Sequence, residues 1–209
     1  MIDPVLLDLW DWRTRIATLY AEIRANPDPE AAWRQWRDDR DTLFRTHPQT
    51  PIETPFQPLP YFSYDKALRF LVQLDPVTDA PDQALPAGAD GEVHLTPFAR
   101  TSGLPLGGEL TLYWLQGYGG GVFLPFADAT RGVETYGAGR YLLDTIKGAD
   151  LGRIDGKAVL DFNFAYNPSC AYSPRYICPL APAPNRLPAP VRAGELRPAA
   201  SPAFGKGPG

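Results

Sequence analysis

Between residues 3 and 25 the apolar positions Leu9, Trp12, Ile16, Leu19 and Ile23 recur at steps of three and four, the period of an amphipathic helix. The run stops at "NPDP". There Asp28 has the side chain of an N-cap, Pro29 suits the first helical position, and Glu30 suits the positive end of the helix dipole. A second helix is predicted from that point to about Arg45. It would turn Ala32, Trp33, Trp36, Leu43 and Phe44 to one side and carry the mixed charges of "RQWRDDRDTLFR" on a solvated face.

Prolines at 48, 51, 55, 58 and 60 exclude a helix over "HPQTPIETPFQPLPYF" and predict an extended connector. Beyond it the period falls to two. "ALRFLVQLDP", "GEVHLTPF", "GELTLYWLQ", "GVFLPFAD", "GRYLLDTI" and "KAVLDFNFAYN" are short alternating or apolar runs separated by Gly, Pro and Asp turns. No helical pattern lies between them to carry a parallel crossover, so the strands pair antiparallel. The pattern gives a mainly β, α+β fold: an N-terminal helical hairpin packed on an antiparallel β-barrel or β-sandwich. Its expected organisation is helices over 1–47, a proline-rich connector over 48–60, a β domain with a C-terminal cover loop over 61–196, and a disordered tail over 197–209.

Composition narrows the class. The chain has 209 residues, 44% of them hydrophobic and 12% aromatic, enough for a sizeable core, while 24 prolines and 19 glycines make it rich in loops. A formal charge of -4 argues against nucleic acid, whose phosphates demand a basic surface. No apolar run is long enough to cross a bilayer, and "MIDPVLLDLWDWRTR" lacks the basic region that precedes the apolar core of a secretion signal. A cytoplasmic protein without a membrane or nucleic-acid partner is expected. Cys170 and Cys178 lie close together, but His47 and His94 are remote from them and from each other, so no metal site is expected. The thiols read as reduced packing residues.

Two strands carry the polar groups of interest. In "YGAGRYLLD" the two glycines lack the third of a dinucleotide fingerprint, so they read as a turn that lets Arg140 enter the sheet. A buried arginine needs a carboxylate, with Asp161, Glu134 or Asp128 in range, or else its planar fork faces an anionic ligand. In "DFNFAYN", strand alternation would put Asp161, Asn163 and Asn167 on one face and Phe162, Phe164 and Tyr166 on the other. Asp and Asn are disfavoured on an ordinary solvated strand, which raises a site reading beside that of structural hydrogen bonds. The segment "NPSCAYSPRYICPLAP" then leaves the sheet as a proline-braced cover.

Four blocks, "WRDDRDTLFRTHPQTPI", "FLPFADATRGVETYGAGRYL", "LDFNFAYNPSCAY" and "CPLAPAPNRLPAPVRAGE", resemble the bacterial and archaeal family catalogued as domain of unknown function 1684, over residues 33 to 195. The family-like positions include Thr135, Tyr136, Gly139, Arg140 and Tyr141; Asp161, Asn163, Asn167, Pro168, Cys170 and Ala171; and Cys178, Pro179, Asn185, Arg186, Gly194 and Glu195. The resemblance implies a β-rich domain preceded by helices and brings no established activity. This chain departs from the pattern at Ala183 and Pro184, where a proline-acidic pair often precedes the asparagine.

The reading that follows is a binder of a small organic ligand, anionic or neutral, in a β cavity. Arg140, Asp161, Asn163, Asn167, Tyr136, Tyr141 and Tyr172 are the candidate contacts. One alternative is an enzyme with Asp161 as general base and Arg140 as electrostatic stabiliser; another is an interaction module presenting Trp10, Trp12, Trp33 and Trp36. No motif names a cofactor, a ligand or an oligomeric state.

Overall fold

The structure, a computed structural model, describes residues 3–53, 55–86 and 91–199; the expected tail lies outside the described residues from position 200 onward. Two helices open the chain, α1 (Pro4–Ala25) and α2 (Pro29–Thr46). Asp28 caps α2 as its sequence requires, its Oδ1 accepting the N–H groups of Glu30 and Ala31 at 3.0 and 3.1 Å. Ile16, Leu19 and Ile23 of α1 and Trp33, Trp36, Leu43 and Phe44 of α2 are buried together.

Eight strands follow among the described residues: β1 (Arg69–Pro76), β2 (Gln83–Pro86), β3 (Glu92–Ser102), β4 (Thr111–Leu115), β5 (Gly121–Phe126), β6 (Arg140–Asp144), β7 (Arg153–Ile154) and β8 (Lys157–Asp161). They form one antiparallel curled sheet, a half-barrel, in the order β6-β5-β4-β3-β1-β8-β7, with β2 paired to β3. The β4–β5 hairpin turns through "QGYGGG", where Gly117, Gly119 and Gly120 all take positive φ. Register shifts occur at Pro97–Ala99 on β3 and Leu124–Pro125 on β5. Each contains a proline that withholds a ladder donor, so the pairing bulges there and the sheet bends. Asn185 repairs the second defect. Its Nδ2 donates to the carbonyls of Thr111 and Pro125 at 2.9 and 2.7 Å, and its Oδ1 accepts from Thr111 N–H at 2.8 Å.

The sheet's free β6 edge is met by the chain beyond β8, where Tyr141 and Tyr166 exchange backbone hydrogen bonds of 2.9 and 3.0 Å. The helical hairpin packs across this junction. Trp33 Nε1 donates to the Asn163 carbonyl at 2.9 Å, and the Trp36 ring lies edge-on to Phe164 at 5.3 Å.

One local element differs from strand alternation. β8 ends at Asp161, and Phe162–Phe164 is a 3-10 turn with Asp161 as its N-cap. Asp161 Oδ1 accepts both the backbone N–H and the side-chain N–H of Asn163, at 3.0 and 2.8 Å. An Asp followed two residues later by Asn offers the backbone this cap as an alternative to the ladder. The aromatic and polar side chains therefore do not separate onto a dry and a wet face: Phe162, Asn163, Phe164 and Asp161 are all buried.

Candidate functional site

Asp161 stands at the inner end of a cleft between the α1–α2 turn and the β7–β8 hairpin. Ile23, Asn26, Pro27 and Ala32 form one wall, while Arg69, Arg153, Val159 and Phe164 contribute to the other; the volume is about 330 Å³. Antiparallel pairing sets Arg69 directly across from Asp161, which puts both side chains on one face of the sheet. The Asp161 carboxylate is 2% exposed. Its Oδ1 is held by Asn163, but its Oδ2 accepts no hydrogen bond and lies 3.6 Å from Arg69 Nε. Burial pushes this carboxyl up to about 6, against the opposing effects of the Asn163 hydrogen bonds and the Arg69 charge. Arg24 and Arg153 also line the cleft. Each ties one nitrogen to a backbone oxygen, Arg24 to Asp150 at 2.6 Å and Arg153 to Gly156 at 2.5 Å.

The remaining expected contacts are distributed elsewhere. Arg140 is fully enclosed. Its Nη2 donates to Asp128 Oδ2 and to the Val191 carbonyl, both at 2.9 Å, and its Nη1 donates to the carbonyls of Ala193 and Glu195. Burial pulls its pKa down and Asp128 opposes that shift. Asn163 bridges to Asp65, donating to its carbonyl at 2.9 Å and accepting from its N–H at 2.8 Å. Tyr136 Oη donates to the Cys170 carbonyl at 3.2 Å and Tyr141 Oη to that of Pro179 at 2.6 Å. Tyr172 Oη donates to Glu195 Oε2 at 2.8 Å. Of the expected residues, Asp161 alone lines the arginine-rimmed cleft.

Asn167, Tyr141 and Tyr172 instead line a second, smaller chamber of about 90 Å³ under the helical hairpin, together with Tyr20, Arg40, Asp144 and Cys178. Three buried polar oxygens there have no hydrogen-bond partner, Tyr20 Oη, Asp144 Oδ1 and Asn167 Oδ1. Behind the chamber Arg40 donates to Glu195 Oε1 from Nε at 3.1 Å and Nη2 at 2.5 Å.

Arg40 belongs to the charges expected on a solvated face, and it is buried. Its position exposes the signal: Trp36, Arg40 and Phe44 are spaced by four, so helical geometry puts the arginine on the apolar stripe. Arg69 had no such signal, because its register opposite Asp161 is set by the pairing of two strands remote in sequence. Glu195 had none in local pattern, because its neighbours are brought together only by the returning chain. Of the tryptophans considered for a partner surface, Trp33 and Trp36 are buried, Trp12 is half-buried and Trp10 is exposed. Among the described residues no group of three or more His, Cys, Asp or Glu side chains is arranged to hold a metal ion, and no helix is long and apolar enough to cross a membrane.

Comparison with known proteins agrees with the architecture. No curated protein matches the chain. The solution NMR structure of an uncharacterized protein from Haloarcula marismortui is similar, with 32% sequence identity and a TM-score of 0.55, covering 80% of this chain and 93% of that one. The model of the family described as "Protein of unknown function (DUF1684)" matches residues 54–196, the second half of the connector, the curled sheet and the returning segment that carries Glu195. The chain belongs to that family.

Proposed function

We propose that the protein binds a small organic anion in the Asp161 cleft. The observation that carries this reading is the buried Asp161 Oδ2, which is ion-paired with Arg69 at 3.6 Å but accepts no hydrogen bond, since a buried oxygen with no hydrogen bond is costly and is commonly completed by a ligand or water. Arg24, Arg69 and Arg153 line the cleft, with Asp150 paired to Arg24 at 4.0 Å and Asp161 to Arg69, so one positive charge is left in excess and the cleft favours an anion. Its volume falls at the lower end of the range for small-molecule sites, roughly 300–1,000 Å³. A carboxylate or phosphate oxygen would take the Arg69 fork and, below pH about 6, the protonated Asp161 carboxyl as donor. The arginine of this reading is Arg69, because Arg140 has its donors engaged with Asp128 and three carbonyls.

A second reading rests on the same carboxyl. A carboxylate whose pKa is raised to about 6 is matched to general-base work near neutral pH, and Arg69 would stabilise developing negative charge.

Titration calorimetry with acetate, succinate and inorganic phosphate at pH 5.5 and pH 8 tests the binder. Arg24, Arg153 and Tyr64 are the other ionisable groups near Asp161. Affinity should be at least about tenfold higher at the lower pH, because one protonation couples to binding. Arg69→Ala should lose it, and Asp161→Asn should bind with little pH dependence. Binding that is flat in pH and indifferent to Arg69→Ala would sink the proposal. Turnover abolished by Asp161→Asn while binding persists would select the enzyme.

A further inference from the structure

The cover loop returns on itself so that its two thiols meet. Ser169–Ala171 forms a 3-10 turn, the Ser173 hydroxyl accepts the Arg175 N–H at 3.2 Å, and the chain comes back until Cys178 Sγ accepts the Cys170 N–H at 3.3 Å. Both cysteines are half-buried and unbridged. Cys178 lines the small chamber in which Asp144 Oδ1 and Asn167 Oδ1, each on a side chain at most 3% exposed, lack partners. Lys147 holds the other Asp144 oxygen at 3.2 Å, and the Asn167 amide nitrogen is tied to the Leu196 carbonyl at 2.8 Å. The orientation of both acceptors is therefore fixed by the protein, and their buried oxygens lack the hydrogen bond that a small donor molecule in the chamber would supply.

We infer that Cys178 and Cys170 are a redox-active dithiol whose oxidising substrate is a small hydroperoxide admitted to this chamber. A chamber of about 90 Å³ admits a molecule of a few heavy atoms, and hydrogen peroxide carries two O–H donors for Asp144 Oδ1 and Asn167 Oδ1 and lone pairs for the Tyr20 hydroxyl, which also lacks a partner. The nucleophile is Cys178, whose sulfur lines the chamber and accepts the Cys170 N–H at 3.3 Å. That hydrogen bond and the charge of Lys147 favour its thiolate against the effect of burial.

The chemistry closes without a further reactant. Cys178 gives up its proton to solvent and its thiolate attacks one peroxide oxygen; the S–O bond forms, the O–O bond breaks, and the departing hydroxide takes that proton back from solvent to become water. The sulfur is oxidised by two electrons to a sulfenic acid and the peroxide is reduced. Cys170 then attacks that sulfur. The S–S bond forms and the S–O bond breaks, with the Cys170 proton leaving in a second water. This site is separate from the Asp161 cleft and does not depend on it.

The test uses the full-length, reduced chain and hydrogen peroxide, with dimedone as trap and intact mass as readout. Wild type should lose two hydrogens, keep no free thiol and take no dimedone. Cys170→Ser should accumulate a dimedone adduct on Cys178, and Cys178→Ser should react at least about tenfold more slowly than wild type. Asp144→Asn should lower the peroxide rate relative to the rate of alkylation by iodoacetamide. Two free thiols persisting in excess peroxide, or equal rates for the two serine variants, would overturn the dithiol. An unchanged peroxide-to-alkylation ratio in Asp144→Asn would overturn the chamber as the peroxide site. Circular dichroism of each variant confirms that a slow rate belongs to a folded protein.

Discussion

Arg40 Nη2 and Glu195 Oε1 lie 2.5 Å apart across 155 residues of chain, with side chains 6% and 0% exposed. Glu195 also accepts from Tyr61 Oη at 3.3 Å, Asn167 N–H at 2.6 Å and Tyr172 Oη at 2.8 Å. One carboxylate thus joins α2, Tyr61 just beyond the connector, the segment after β8 and the returning C-terminal segment. Around the guanidinium, the rings of Trp36, Phe44 and Tyr166 lie 4.8 to 5.2 Å from Arg40 Cζ, so water is replaced by π faces and one counter-charge.

Removing that counter-charge should be costly. Glu195→Gln leaves Arg40 charged and buried, and breaking a buried pair from one side destabilises by about 3–5 kcal/mol. Urea unfolding of the variant should show a loss of that order. The double variant Arg40→Met with Glu195→Gln should recover a large part of it, because no charge is then stranded and the amide oxygen can still accept a hydrogen bond. A single variant as stable as wild type would contradict the role assigned to this pair.

Asp161 gives a stability profile opposite in sign to that of a salt-bridged carboxylate. Its pKa rises from 3.8 to about 6 on folding, so the folded state holds the proton more tightly. The stability it contributes is complete below pH 3.8 and is lost as pH rises through about 6. At about 1.4 kcal/mol per pKa unit the change is roughly 3 kcal/mol. Asp161→Asn should keep the Asn163 hydrogen bonds through its amide oxygen and remove this slope. Urea midpoints from pH 4 to 7 should converge at low pH and favour the variant at neutral pH; parallel curves would refute the assignment.

The extent to which these features were legible follows from the range of the forces involved. The helices were readable because their apolar period and the Asp28-Pro29 start act within a few residues. The curled sheet was readable because its strands alternate and the turns between them are rich in glycine, proline and aspartate. β7 was not visible: the two residues Arg153–Ile154 are too few to show a period. Asp161 and Asn163 were visible as unusual, but the cap between them ends the strand and removes the common face that alternation predicts. Arg140 was read as a charge needing a partner, and Asp128 is that partner. What its sequence did not contain is the set of Val191, Ala193 and Glu195 carbonyls that occupy the remaining donors.

That set leads to a prediction for Arg140→Lys. A lysine retains the charge toward Asp128, but an ammonium cannot spread its donors over the positions a planar guanidinium reaches. The C-terminal segment should therefore open locally before the sheet does. Hydrogen exchange should increase first in residues 187–196, with global stability lowered by about 1–3 kcal/mol for buried carbonyls left without a donor. Uniform exchange across the chain would place the function of Arg140 elsewhere.

Gly194 is where the same segment touches the turn after β8 most closely. Its φ is +76°, and a Cβ there would meet the Ala165 Cβ at 2.8 Å and the Phe162 carbonyl oxygen at 2.9 Å, with the Ala165 carbonyl oxygen nearer still. Those carbonyls belong to the backbone of a buried turn, and Glu195 N–H donates to Ala165 O at 2.8 Å, so moving the chain apart would also pull Glu195 from Arg40. Gly103 provides the comparison: its φ is +72°, and a Cβ there meets nothing within 4 Å. Gly103→Ala should cost only the left-handed backbone penalty, about 1–2 kcal/mol. Gly194→Ala carries that penalty plus the collision and should be at least about 2 kcal/mol worse, in the range of overpacked interiors. Thermal unfolding of the two variants side by side measures the difference, and equal losses would mean that the segment yields at Gly194 without disturbing the buried carboxylate.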